Sequence, residues 1–366
     1  MTLAGDVVLE VSRDAIPRQY WTTNRFSTEL RVLLSGMDVA PNGDLFVTDG
    51  YSSDYVHHFD PRGHYLGTFG GKAAPYGFNI LHKIAMDTRF DPVRIIATDR
   101  LNNRVVHLSL AGEIVLEVGR DSIPREYWTP NRFSTELGVL LSGMDVAPNG
   151  DLYVTDGYSS DYVHRFDAKG KYLGTFGGKA APYDFNILHK IAMDTRFDPV
   201  RIIATDRLNN RVVHLSLDGE FLGVVNSDLK LPAAVAINGD NVVVGELNGR
   251  VTILDKTGKV VTYLGTNIDE GIGTNRVPPD KWRLGYVSAA HGVATNADGD
   301  VFVSEFSTFG RVHKFDRRRT VRSAPTPRVL PNGDDGIEVR ARARRHAPAR
   351  RELDGLLGCD QRGSRW

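Results

Sequence analysis

Residues Gly5 to Leu110 recur as Gly112 to Leu217 at a constant offset of 107, with 13 differences, most of them mild, such as Phe46 against Tyr153 or Arg62 against Lys169. Periodicity of this kind decides the whole fold and has to be read before any local pattern. The match marks a recent duplication or a sequence-assembly artefact. Inside each copy a shorter pattern returns: Met37-Asp-Val-Ala-Pro-Asn-Gly-Asp-Leu-Phe-Val-Thr-Asp, then Tyr55-Val-His-His-Phe-Asp, then Tyr65-Leu-Gly-Thr-Phe-Gly. Each run is short and either alternates or is β-branched and aromatic. The intervening Pro-Asn-Gly-Asp and Asp-Pro-Arg-Gly supply the positive-φ positions that hairpin turns need.

Four such strands make one antiparallel blade, and the template starts afresh near Gly36, Ile84, Gly143, Ile191, Ala234 and Gly292. Six starts predict an all-β, six-bladed propeller over residues 1–318, which fits a 366-residue chain because all-β folds often exceed 200 residues as one unit. A propeller must close its ring, since an open edge strand invites pairing with other chains. The last blade has three strands, near Gly292–Thr295, Val301–Glu305 and Arg311–Phe315. The N-terminal Ala4-Gly-Asp-Val-Val-Leu-Glu-Val matches Ala111-Gly-Glu-Ile-Val-Leu-Glu-Val, the fourth strand of blade 2. Residues 7–11 are therefore expected to complete blade 6.

Composition narrows the setting. With 41% hydrophobic residues, 25% charged residues and 37 glycines, the chain reads as a turn-rich globular protein with a sizeable core. The longest apolar run, Ala233–Ile237, is five residues, against the roughly 20 needed to span a bilayer. No charged and apolar leader follows Met1, which predicts a cytoplasmic address and no membrane partner. The only cysteine, Cys359, permits no intrachain disulfide and no thiolate cluster. Residues 317–366 hold 13 Arg and 6 Asp/Glu, so the tail is +7 and the rest −7. A mildly acidic propeller lacks the basic face that nucleic acid requires. Residues 319–366 read as an Arg-rich disordered tail, or as the product of a shifted reading frame, because the strand pattern stops abruptly.

The innermost strand of a blade begins on the face where the second strand ends, so residues at these two places share one mouth of the central tunnel. Histidines occupy the first place in Leu81-His82-Lys-Ile-Ala-Met, Leu188-His189-Lys-Ile-Ala-Met and Ala290-His291-Gly-Val-Ala-Thr. They fall in blades 2, 4 and 6, about 120° apart in a six-fold ring, so three imidazoles can converge and bind zinc with a fourth position open. The competing reading has each histidine bonding a neighbouring loop. At the second place stand Asp49-Gly50-Tyr51, Asp156-Gly157-Tyr158, Asp99-Arg100 and Asp206-Arg207. The aspartates are expected to cap turns. A phenol beside a dication can serve as a base and a guanidinium can clamp a carboxylate. His107, His214 and His313 fall in third strands, away from the axis.

These strands resemble NHL repeats. The ordered set Gly143-Met-Asp-Val-Ala-Pro-Asn-Gly-Asp-Leu-Tyr-Val-Thr-Asp-Gly-Tyr158, Leu188-His189 through Asp206-Arg207, and Ala290-His291-Gly-Val-Ala resembles the propeller of peptidyl-α-hydroxyglycine α-amidating lyases over blades 2 to 6. The resemblance implies zinc on His82, His189 and His291, Tyr158 as base and Arg207 beside it, with Tyr51 and Arg100 as their copies. It implies cleavage of a C-terminal α-hydroxyglycine to a peptide amide and glyoxylate. Blade 1 carries Gly50 and Tyr51 where the family has a further arginine. Gly292 stands where the family has an aspartate serving a structural calcium, so calcium is not expected. The alternative is a non-catalytic NHL propeller binding a protein or other ligand through its loop face. The connections Gly119–Leu140 and Asn267–Ala289, rich in Tyr, Trp, Pro and Arg, suit either.

Overall fold

The computed structural model describes residues 7–24, 27–131, 134–267, 276–307 and 309–317. The Arg-rich tail and Cys359 lie outside the described residues.

Six four-stranded antiparallel sheets follow one another. Blade 1 runs Gly36–Val39, Leu45–Thr48, Tyr55–Phe59 and Tyr65–Gly70; blade 2 runs Leu81–Asp87, Arg94–Asp99, Arg104–Ser109 and Ile114–Gly119. Blade 3 (Gly143–Gly177) and blade 4 (Leu188–Asn226) repeat them, and blade 5 spans Pro232–Leu264. Blade 6 takes three strands, Ala290–Thr295, Val301–Glu305 and Arg311–Phe315, and its outer strand is the N-terminal Val7–Ser12, paired antiparallel with Arg311–Phe315. The ring closes as the termini predict.

The hairpins turn where the sequence places them. Gly43 (φ +91) and Gly63 (φ +82) adopt left-handed backbone in the Pro-Asn-Gly-Asp and Asp-Pro-Arg-Gly turns of blade 1. The apolar core sits between blades. Val11, Val32, Met37, Val47, Phe59, Phe302 and Val312 join blade 6 to blade 1. Phe46, Val56, Leu81, Ile95 and Val106 join blade 1 to blade 2. Similar clusters fill the remaining four seams. Burying both faces of every sheet explains why second strands such as Leu45–Thr48 and Val301–Glu305 are buried at every position, whereas an outer strand such as Ile114–Gly119 alternates.

The innermost strands of blades 2 and 4 begin at Leu81 and Leu188, three residues before the β-branched run suggests. The connection before blade 3 is also more ordered than its composition implies. It carries 3-10 turns at Arg120–Ser122 and Arg125–Tyr127 and a ribbon of Thr129–Asn131 against Ser134–Gly138. Its copy before blade 1 has the same ribbon, Thr22–Asn24 against Ser27–Arg31. Among the described residues no helix is long and apolar enough to cross a membrane.

Candidate metal centre at the tunnel mouth

The early start of these strands is what aims the histidines. Pairing with the second strand slips between Leu81 and Lys83, between Leu188 and Lys190, and between Ala290 and Gly292. The residue left out of each ladder is His82, His189 or His291, and a bulge re-aims the side chain it carries. The three rings consequently meet on the axis, with centroids 5.0–5.3 Å apart and ligand nitrogens all within 4.8 Å of one another.

Each ring is anchored by the following blade. His82 Nδ1 lies 2.7 Å from the Ser142 carbonyl, His189 Nδ1 2.5 Å from that of Ala233, and His291 Nδ1 2.7 Å from that of Ser35. A carbonyl only accepts, so Nδ1 carries the proton and Nε2 keeps a lone pair, the arrangement by which imidazole ligands are oriented for a metal. Burial disfavours the imidazolium of all three, and the cations nearby reinforce it: Arg100 for His82, Arg207 for His189, Lys83 for His291. Their pKa values fall well below the ordinary 6.5, which leaves neutral donors. Zinc held at about 2.0–2.1 Å by tetrahedral nitrogens needs them about 3.3 Å apart, so an ion here would have to draw together nitrogens that now lie within 4.8 Å of one another.

The tyrosines lie against these nitrogens. Tyr51 Oη is 2.8 Å from His82 Nε2 and 3.5 Å from His291 Nε2, and Tyr158 Oη is 2.8 Å from His189 Nε2. Gly50 and Gly157 permit the approach, since a Cβ there would stand 2.1 Å from the Leu81 carbonyl oxygen or 2.0 Å from that of Leu188. Around the mouth the order is Phe306, Tyr51, Arg100, Tyr158, Arg207. Tyr158 thus lies between two guanidinium groups, Arg100 4.4 Å and Arg207 5.4 Å from its ring, with Arg207 donating to its hydroxyl at 3.4 Å. Tyr51 is 5.7 Å from Arg100 and on its other flank meets Phe306 at 4.9 Å. Burial raises the pKa of both phenols. It prevails at Tyr51, where Tyr158 adds to it, whereas Arg207 and Arg100 overcome it at Tyr158, whose pKa is lowered.

All seven residues singled out from the sequence, His82, His189, His291, Tyr51, Tyr158, Arg100 and Arg207, therefore gather at one mouth. The aspartates cap: Asp49 accepts from Tyr55 N–H and Asp156 from Tyr162 N–H. His107, His214 and His313 stay off the axis and are buried. Sequence reasoning missed Ser35 and Ser142. The Ser142 hydroxyl donates to the Leu188 carbonyl and accepts from Gly157 N–H, while its carbonyl holds His82. Ser35 does the same for Leu81, Gly50 and His291. Their only signal was a polar residue one step before a buried strand. Lys83 and Lys190, each following a histidine, were also missed, as was Phe306.

No family model matches the chain, and no curated protein matches it. Among solved structures it is similar to a streptogramin B lyase, at 14% identity and TM-score 0.53 over 78% of this chain and 94% of that one. A catalytically inactive virginiamycin B lyase variant from Staphylococcus aureus, solved with quinupristin, is 14% identical at TM-score 0.51, covering 82% of this chain and 89% of that one. A Bacteroides thetaiotaomicron protein of unknown function is 12% identical at TM-score 0.56, covering 86% of this chain and 74% of that one. At these identities the likeness shows the propeller fold alone.

Proposed function

We propose that the chain is a zinc-dependent lyase that splits the C–N bond of a peptide ending in α-hydroxyglycine and releases a peptide amide and glyoxylate. The observation that carries this reading is the convergence of three buried imidazoles, ligand nitrogens within 4.8 Å of one another, with Tyr158 Oη 2.8 Å from His189 Nε2 and accepting from Arg207. That likeness in fold extends to proteins named as lyases gives the reading precedent in architecture only.

His82, His189 and His291 would hold the ion, which supplies Lewis acidity at the substrate hydroxyl. Tyr158, with its phenolate favoured by Arg100 and Arg207, accepts the hydroxyl proton. The electron pair of the O–H bond becomes the second C–O bond of the aldehyde. The pair of the C–N bond passes to nitrogen, which regains the proton from Tyr158. A guanidinium, Arg207 or Arg100, clamps the substrate carboxylate through parallel N–H donors.

Glyoxylate release from an N-acylated α-hydroxyglycine peptide tests the reading. Zinc-loaded protein should produce glyoxylate, and Tyr158→Phe should slow it by roughly 10²–10⁴-fold, the usual weight of a positioned acid or base. Equal rates would remove Tyr158 from the mechanism, and silence from the zinc-loaded wild type would remove the reaction. The binding-only alternative draws on Leu137, Leu284 and Tyr286, exposed on the connections.

A further inference from the structure

The residue that follows each second strand stands at the same mouth, and in four blades its N–H is held in the same way. Arg100 N–H donates to the Ile80 carbonyl, Arg207 to Ile187, Leu247 to Leu231 and Phe306 to Ala289, at 2.9–3.1 Å. In blades 1 and 3 that place belongs to Gly50 and Gly157, whose bare backbone admits Tyr51 and Tyr158. In ring order the mouth is therefore Tyr51, Arg100, Tyr158, Arg207, Leu247 and Phe306. The two guanidinium groups of these six flank Tyr158, and the two purely apolar side chains adjoin on blades 5 and 6. Leu247 and Phe306 are half-buried. Phe306 faces the axis, its ring 5.6 Å from that of His291 and 4.9 Å from that of Tyr51.

This division of the mouth orients the substrate of the reaction proposed above, a reading on which the inference rests. The α-carbon of α-hydroxyglycine is tetrahedral. With its hydroxyl at the histidines and Tyr158 and its carboxylate on Arg207 or Arg100, the amide nitrogen leaves toward the opposite side, blades 5 and 6. We infer that Leu247 and Phe306 form the subsite for the side chain of the residue before α-hydroxyglycine, and that the chain selects peptides in which this residue is large and apolar, aromatic above all. A carboxylate side chain would be desolvated against two groups that offer it no hydrogen bond. An aromatic one gains ring-to-ring contact with Phe306 beyond the area it buries, and a methyl group does not.

Calorimetric titration of the full chain with zinc, using N-acetyl dipeptides that end in ordinary glycine and cannot react, tests the subsite apart from the reaction. N-acetyl-Phe-Gly should bind roughly tenfold more tightly than N-acetyl-Ala-Gly, with N-acetyl-Glu-Gly weaker than either. Phe306→Ala should bring the Phe and Ala ligands to within roughly threefold of each other. Equal binding of all three, tightest binding of the Glu ligand, no binding at all, or a Phe preference that survives Phe306→Ala would overturn the assignment. If Phe306→Ala does not fold, the wild-type ranking decides alone. Ranked binding without glyoxylate release from the α-hydroxyglycine peptides would remove the reaction and leave the subsite; glyoxylate release with unranked binding would do the reverse.

Discussion

At the scale of single residues, Tyr51 and Tyr158 are copies with the same neighbours in sequence and different chemistry. Both phenols are buried near Arg100 and Arg207, but Tyr158 lies closer to Arg100 and accepts from Arg207, whereas Tyr51 is held up by burial and by Tyr158 and is flanked on its other side by Phe306. Phe306→Arg would place a further guanidinium on the other flank of Tyr51. Its pKa should drop by about one to three units, as beside any close opposite charge, and ultraviolet titration of phenolate would read this as one tyrosine ionising earlier. An unchanged titration would mean that burial and Tyr158, not the lack of a nearer cation, set Tyr51 apart. The identity of the histidines, tyrosines and arginines was legible in the sequence because each stands at a fixed place in the strand pattern. Which tyrosine is the more acidic was not, since that depends on how closely Arg100 and Arg207, carried by other blades, approach each phenol.

At the scale of strands, hairpin turns and alternating runs announced every blade, but the bulges did not announce themselves. Leu81-His82-Lys83 reads as an ordinary strand start, and only the pairing partner reveals that His82 is left out of register. The ribbons in the long connections were equally hidden, their Thr, Pro and Asn content reading as loop. The bulged strand also requires a bare backbone opposite it. Gly157→Ala would drive a methyl group into the Leu188 carbonyl, and overpacking of this kind costs about 1–3 kcal/mol. Denaturant unfolding should show that loss together with reduced zinc affinity, because Leu188 adjoins His189. A variant as stable as wild type would show that the contact relaxes freely.

For the whole molecule, closure of the ring depends on blade 6, where Val7–Ser12 returns to the chain's other end. Beneath that seam Glu305 is fully buried, bonded to Arg311 at 2.8 Å and 3.4 Å from His313 Nε2. Burial alone would raise its pKa, yet His313 and Arg311 reverse this and hold it at about 2 against an ordinary 4.5. A carboxylate lowered on folding stabilises the protein above its unfolded pKa and loses that contribution as pH falls through the folded one. Melting temperature should therefore fall between pH 4.5 and pH 2, and the Glu305→Gln variant, already less stable at neutral pH, should fall less steeply. Parallel curves would assign the acid sensitivity to other carboxylates.

The ring also creates the site, since His82, His189 and His291 are 209 positions apart at the extremes and meet only when blade 6 packs against blade 1. Metal analysis by mass spectrometry, on protein exposed to zinc and then dialysed, tests this convergence most directly. Wild type should retain one zinc per chain, lose it to chelator, and retain almost none as His291→Ala. Metal-free wild type, or a His291→Ala variant that keeps its zinc, would contradict the shared site.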